Sequence, residues 1–260
     1  MNDSDMNDKL LQEISARGIA TLTMNRPDSA NTYDQDMLDG LYDAFGRLAQ
    51  DESVRAIVLR GAGKHFCGGG DQRRHGNAPA RAPDAPPPTT MTHVCARLRA
   101  VPQPTIAAIQ GACMGGALTM ACCCDIRIVA RNAFFGLPEV RLGFATGPES
   151  ALPVVRAMGL RSYRRYAMTG QRFGADEALR IGLVHERCER EGLDRALDAQ
   201  IEEILLAAPN AARSAKRIAE ALEPPVPAEV FAGLVAGRDT EEAREGLAAF
   251  REKRKPAWYR

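Results

Sequence analysis

The chain has 260 residues, a formal net charge of +1 at pH 7 and 45% hydrophobic residues, which is typical of a globular protein. This near-neutral balance gives no reason to expect a nucleic-acid or membrane partner, because such partners usually require a marked basic excess. The length suits one large core, so we expect one catalytic domain with a small appendage.

The N-terminal residues and the cysteines indicate the cellular compartment of the protein. Residues 1–10 are polar and acidic, and the sequence has no run of about eighteen apolar residues, so we expect neither a signal peptide nor a transmembrane helix. The consecutive Cys122, Cys123 and Cys124 suit neither a C-x-x-C metal site nor a disulfide framework. We therefore expect a cytoplasmic protein with reduced, buried thiols and no metal.

Strands and helices alternate along the first part of the chain. Every second residue over 20–24 is apolar, which predicts a half-buried strand over 19–24. Apolar residues then recur at helical spacing over 37–48. Short apolar runs beside turn signals predict buried strands, as in an α/β protein, at 56–59, 105–109 and 126–129.

A segment of different composition lies between the strands predicted at 56–59 and 105–109. Residues 76–88 are rich in glycine, alanine and proline, which can neither fill a core nor donate freely to a sheet, so we expect a mobile surface loop. A helix follows over 91–98. Beyond residue 193 only helical patterns occur, at 193–207, 211–222, 228–236 and 240–253.

Two glycine-rich stretches follow predicted strands, and they are the main functional signal. Gly68, Gly69 and Gly70 form the first, and the second runs from Gly111 to Gly116. Glycine lets backbone N–H groups approach a ligand closely, and N–H groups in the first turn of the helix predicted over 116–124 lack intrahelical partners. Two such donors from separate loops can hold one oxyanion. A plain glycine turn and close helix packing remain structural alternatives.

These stretches and four further segments resemble the crotonase superfamily of enoyl-CoA hydratases and isomerases. The segments occur in the family's order between about residue 14 and residue 255, and they are Asn25-Arg26-Pro27, 66–71, 111–116, Cys124-Asp125, 136–143 and 246–254. The resemblance implies an α/β spiral of ββα units over 1–192 and a helical trimerisation region over 193–260. It also implies homotrimers that often pair into hexamers.

The resemblance implies an acyl-CoA substrate, with CoA as part of the substrate and no separate cofactor. The thioester oxygen would lie between the backbone N–H groups of Gly70 and Gly116, which would stabilise an enolate-like intermediate. The implied CoA-binding positions are Ala30, Gly68, Gly70, Phe250 and Lys253, the last two commonly on a neighbouring subunit. A solvated surface charge is an alternative interpretation of Lys253.

The acid/base positions differ from the hydratase pattern. Classical hydratases carry one glutamate at the position of Thr119 and another at the position of Glu139. A threonine hydroxyl can hold a water molecule, but it is too weak an acid and base to replace a carboxylate. A purely structural role, in which Thr119 bonds its own helix backbone, is equally compatible with the sequence. Glu139 keeps the family position and is predicted to be the principal acid/base.

A further carboxylate, Glu149, begins a helix predicted over 149–158. It would either complement the helix dipole or point into the pocket as a second catalytic carboxylate. One carboxylate above a thioester enolate is sufficient to move a proton from C2 to C4, so isomerisation is mildly favoured over classical hydration. The alternatives are an atypical hydratase or lyase that uses Glu149, and a catalytically silent CoA-binding or scaffold protein.

Overall fold

The computed structural model describes residues 8–71, 87–223 and 240–259. These parts of the chain contain nine strands and eight α-helices. The strands are β1 (Leu10–Ile14), β2 (Ile19–Met24), β3 (Ala56–Gly61), β4 (Thr105–Ile109), β5 (Ala112–Met114), β6 (Ile126–Ala130), β7 (Phe134–Gly136), β8 (Phe173–Gly174) and β9 (Glu186–Cys188). The helices are α1 (Gln35–Gln50), α2 (Met91–Arg99), α3 (Gly116–Cys122), α4 (Pro148–Thr169), α5 (Ala175–Arg180), α6 (Leu193–Leu206), α7 (Pro209–Leu222) and α8 (Glu241–Glu252).

The elements predicted from periodicity are confirmed with small shifts of their ends. They are β2, β3, β4 and β6 among the strands, and α1, α2, α3, α6, α7 and α8 among the helices. The helix predicted over 149–158 is the first part of α4, which continues to Thr169 beyond a non-helical residue, Gly159. The helix predicted over 228–236 and most of the loop predicted over 76–88 lie outside the described residues.

Six strands form the main sheet, in the order β1-β2-β3-β4-β6-β9. β1 pairs antiparallel with β2, and every further pair in this sheet is parallel. One core cluster joins this sheet to helices α1 to α4. On the opposite face, Val58, Ile106 and Ile128 pack with Leu197 and Ile201 of α6. Because both faces are buried, residues 56–59 of β3 and 106–109 of β4 form continuous apolar runs rather than alternating ones.

A small second sheet positions the candidate site. Its strands β5 and β7 are parallel, with Met114 opposite Gly136, and β8 pairs antiparallel with β7. β5 leads into α3, and β7 leads into a 3-10 turn, Pro138–Leu142. The carboxyl ends of neighbouring parallel strands meet at one edge of a sheet, so the start of α3 and the turn that carries Glu139 lie side by side.

The cysteines are reduced and mostly buried, as expected from their spacing in the sequence. All seven are free thiols, and five of them are buried. Burial raises the pKa of the Cys67 thiol to about 12, so this group stays protonated at neutral pH. Along the described ranges, no helix combines the length and the apolar composition needed to cross a membrane.

Candidate active site

The two glycine stretches lie directly against each other. The Cys67 N–H donates to the Ala112 carbonyl at 2.9 Å, and the Met114 N–H donates to the Cys67 carbonyl at 3.1 Å. Gly69 has a φ of +99°, and a Cβ at this position would lie 3.0 Å from the Met114 carbonyl oxygen. Glycine is therefore required here both by the backbone conformation and by the close approach of the second loop.

A buried asparagine holds the segment that precedes the first glycine stretch. Asn31 has a φ of +55°, a conformation that asparagine tolerates better than most residues. Its side-chain oxygen accepts from the Arg26 N–H at 2.8 Å, and its amide donates to the carbonyls of Ala62 and His65 at 2.9 and 2.7 Å. This network fixes the Asn25-Arg26-Pro27 segment against the loop that leads to the glycines.

The second glycine stretch ends at the start of α3. Gly115, with a φ of +56°, precedes the helix, and its N–H donates to the Gly136 carbonyl at 2.9 Å. Gly116 is the first residue of α3, so its N–H has no carbonyl within the helix to bind. The backbone N–H of Gly116 therefore lies at the open end of the helix, and its role as an oxyanion donor stays a prediction.

Glu139 lies next to this helix start. A Cβ added to Gly115 would lie 2.8 Å from Oε1 of Glu139, so the carboxylate rests against the glycine backbone. The other carboxylate oxygen, Oε2, is buried. The fold thus brings Glu139 and Gly116 together, although 22 residues separate them in the sequence.

Thr119 is fully buried, and its hydroxyl donates to the Ser150 carbonyl at 3.1 Å. The bond joins α3 to α4, which differs from the predicted alternative in which Thr119 bonds its own helix. A threonine hydroxyl has one proton to donate, and here that proton is directed at the α4 backbone. The second carboxylate position of classical hydratases is therefore occupied by a group that links two helices.

Glu149 is exposed in the first turn of α4. An acidic side chain at this position complements the helix dipole without any catalytic role. Its exposure contrasts with the partial burial of Glu139, whose Oε2 is shielded from solvent.

The predicted CoA-binding residues fall into two groups. Ala30 and Gly68 are adjacent, because the Gly68 N–H donates to the Ala30 carbonyl at 2.8 Å. Gly70 follows in the same loop. Phe250 and Lys253 lie at the end of α8, where both are exposed. This helix packs against the residues that follow the Glu139 turn, through Ala243 and its neighbours.

Two tyrosines near the site were not predicted from the sequence. Tyr33 donates its N–H to the Gly69 carbonyl and accepts from the Asp71 N–H, both at 3.0 Å. Tyr163, on α4, is half-buried, and its pKa is raised first by burial and then by the negative charge of Glu139. The Glu139 carboxylate therefore contributes to the electrostatic environment of a phenol on α4. Neither tyrosine belongs to a sequence motif, so no local signal indicated them.

The described residues contain no group of three or more His, Cys, Asp or Glu side chains that could hold a metal ion. The groups that the structure brings together around the start of α3 are the two glycine loops, the partly buried Glu139 carboxylate and the Tyr33 phenol.

Comparison with known proteins agrees with this geometry. Residues 14–260 match the family model described as enoyl-CoA hydratase/isomerase. The chain is 34% identical over 254 residues to (E)-benzylidenesuccinyl-CoA hydratase of Thauera aromatica, covering 92% of this chain and 95% of that protein. It is 32% identical over 254 residues to a probable mitochondrial enoyl-CoA hydratase 2 of Arabidopsis thaliana, covering 94% of this chain and 82% of that protein.

Among solved structures, the fold matches that of an enoyl-CoA hydratase/carnithine racemase from Magnetospirillum magneticum. The TM-score is 0.78 and the identity 34%, and the match covers 97% of this chain and 96% of that one. The family model, the relatives and the structural match all extend over nearly the whole chain. The chain therefore belongs to the enoyl-CoA hydratase/isomerase family, has the crotonase fold that its glycine loops indicated, and is an enzyme of that type.

Proposed function

We propose that this enzyme moves the double bond of an enoyl-CoA thioester by proton transfer through Glu139. One observation carries the proposal. The Glu139 carboxylate rests against Gly115, next to the Gly116 N–H, while the position of a second catalytic carboxylate holds Thr119, whose proton is bound to the α4 backbone. A site with one carboxylate suits a reaction that needs no activated water.

In this mechanism the thioester oxygen lies between the N–H groups of Gly70 and Gly116. Glu139 removes the proton at C2, and the electrons of that bond form an enolate whose negative charge falls on the thioester oxygen. The same carboxylic acid then returns the proton at C4 as the double bond moves to C2–C3. The loss of one oxyanion donor of this kind raises a reaction barrier by roughly 3 kcal/mol in other enzymes.

CoA is proposed to be part of the substrate, with no separate cofactor. Ala30, Gly68 and Gly70 would follow the CoA chain, and the hydrogen bond that joins the Ala30 segment to the glycine loop supports this. Phe250 and Lys253 would complete the CoA site of a neighbouring subunit in a homotrimer or a dimer of trimers. The 59% exposure of the large apolar side chain of Phe250 supports a contact outside this chain.

Hydration of a 2-enoyl-CoA is the second candidate, since the relatives in Thauera aromatica and Arabidopsis thaliana are both named as hydratases. In that reaction Glu139 would have to activate water and protonate C2 without a carboxylate at Thr119. Glu149 could supply the missing group only if its exposed side chain turned into the pocket.

The test is a comparison of two substrates with the purified enzyme. We expect isomerisation of a 3-enoyl-CoA to be faster than hydration of a 2-enoyl-CoA, and Glu139→Gln to lower the rate about 100-fold or more, as for the loss of a general acid/base. The control is Glu52→Gln, at an exposed position beyond the end of α1, which should keep full activity.

Each other outcome has a distinct meaning. Undiminished activity in Glu139→Gln would contradict the mechanism. Faster hydration that also depends on Glu139 would favour the second candidate. Tight binding of acyl-CoA with no turnover of either substrate would identify a silent, CoA-binding member of the family.

A further inference from the structure

Tyr33 has its hydroxyl group at the start of α3. A Cβ added to Gly116 would lie 2.3 Å from the Tyr33 Oη and 3.2 Å from its Cζ. Gly116, the proposed oxyanion donor on α3, is therefore shielded on one side by the phenol of Tyr33. A side chain larger than hydrogen at Gly116 would displace this hydroxyl.

The contact also places the hydroxyl near the backbone N–H of Gly116. The Cβ position and the backbone N are bonded to the same Cα, so an atom 2.3 Å from that Cβ position lies beside the N–H group. The N–H groups in the first turn of a helix have no partner within the helix. An oxygen that accepts from the Gly116 N–H would therefore lie within reach of the Tyr33 hydroxyl.

The backbone of Tyr33 is also fixed relative to the other glycine loop. Its N–H and C=O are bonded to Gly69 and Asp71, the residues on either side of Gly70, at 3.0 Å each. Tyr33 therefore contacts the first glycine stretch with its main chain and the end of the second glycine stretch with its hydroxyl. Its ring packs against the main core cluster, which limits the positions open to the hydroxyl.

We propose that the Tyr33 hydroxyl is a third donor to the thioester oxygen, beside the N–H groups of Gly70 and Gly116. The inference rests on the proposed binding of an acyl-CoA thioester. A phenol donates its O–H as a hydrogen bond, so no proton needs to be transferred. The bond strengthens as the carbonyl oxygen becomes an enolate oxygen, and it therefore lowers the barrier rather than only binding the substrate.

The first test is kinetic and uses Tyr33→Phe, which keeps the ring. We expect kcat to fall about 10- to 100-fold with a much smaller change in KM, as for the loss of one hydrogen bond to a developing charge. The matched control is Tyr42→Phe, which removes the hydroxyl of another partly buried tyrosine on the same core cluster. Thermal unfolding of both variants checks that they remain folded.

The second test needs no turnover. The infrared carbonyl frequency of isotope-labelled butyryl-CoA, a saturated thioester, measures how strongly the bound carbonyl is polarised. We expect a shift to lower frequency on binding to the natural enzyme, a smaller shift in Tyr33→Phe and an unchanged shift in Tyr42→Phe. A merely structural role of Tyr33 would leave this frequency unaltered.

The outcomes separate the two proposals. Equal carbonyl shifts in Tyr33→Phe and the natural enzyme would overturn the role of Tyr33, whatever reaction is catalysed. A chain that binds butyryl-CoA with a Tyr33-dependent shift but isomerises no enoyl-CoA would overturn the proposed reaction and keep the third donor. A chain that binds no acyl-CoA would overturn both.

Discussion

Gly115 and Glu139 approach each other so closely that neither residue can change without affecting the other. Gly115 has a φ of +56°, which residues with a side chain rarely adopt, and a Cβ there would lie 2.8 Å from the carboxylate Oε1. The motif of the second glycine stretch therefore has two separate causes: a backbone turn into α3 and room for the Glu139 carboxylate.

The variant Gly115→Ala tests this arrangement. We expect it to move the Glu139 carboxylate and lower kcat strongly, and to lower the free energy of unfolding by about 1 to 3 kcal/mol, because the φ of +56° and ψ of −127° at this position are rare for a residue with a side chain. Enzyme assays and urea unfolding measure the two effects.

The control for this variant is Gly174→Ala. No heavy atom lies within 4 Å of a Cβ at Gly174, and its φ is −93°. We expect it to leave activity unchanged and stability equal or slightly higher. Normal activity in Gly115→Ala would mean that the carboxylate does not depend on this contact.

A polar contact between α4 and α5 holds the second half of α4 in place. The buried Tyr166 donates its hydroxyl to Glu177 Oε1 at 2.6 Å, and Arg180 donates to Oε2 at 2.6 Å. The hydrogen bond from Arg180, followed by that from Tyr166, lowers the pKa of Glu177 from 4.5 to about 2. This contact therefore ties the second half of α4 to α5.

The lowered pKa predicts a pH dependence of stability. A carboxyl group with a lower pKa in the folded state stabilises the fold above its unfolded pKa of 4.5, and this contribution is lost as the pH falls through about 2. We expect Glu177→Gln to be less stable than the natural enzyme near neutral pH, with a difference that shrinks below about pH 4.5. The effect is modest, because the Arg180 side chain of this ion pair is exposed to solvent.

Urea unfolding at a series of pH values measures this difference. Glu52→Gln, at an exposed position, is the control and should show no such trend. A difference between Glu177→Gln and the natural enzyme that grows in acid would contradict the assignment.

The helical region after residue 193 contributes in two different ways. α6 completes the core by covering one face of the main sheet. α8 instead contacts the turn after Glu139 and leaves Phe250 and Lys253 exposed at its end. The predicted division at residues 192 and 193, and the trimeric assembly, remain predictions.

Mixed oligomers test whether the CoA site is shared between subunits. We expect Glu139→Gln and Lys253→Ala each to be impaired, the first in turnover and the second in KM for acyl-CoA. If Lys253 serves a neighbouring subunit, mixing the two unfolded variants and refolding them together creates some sites with both natural residues.

Recovered activity in the mixture, measured against each variant refolded alone, would support a shared site. Sedimentation of the natural enzyme as three or six chains is expected alongside it. Activity in the mixture equal to the average of the two variants would place both residues in one chain.

Elements long enough to repeat their apolar pattern several times were predictable from the sequence, and the shortest elements were not. α1 and β2 each repeat their pattern over several residues, whereas β5, β7 and β8 have three, three and two residues. A strand alternates with a period of two residues, so a segment of that length contains at most one repeat, too few to distinguish a strand from a loop. These short strands nevertheless bring the Gly116 and Glu139 segments together.

The amino-acid order determines the glycine turns, the buried strands, the helices and the family motifs, because each depends on neighbours along the chain. The contacts of Thr119 with Ser150, of Tyr33 with Gly116 and of Gly115 with Glu139 are decided only by the tertiary structure. They join residues 24 to 83 positions apart. No local pattern encodes such a pair, since it forms only when the parallel strands and the packed helices have set the two backbones side by side.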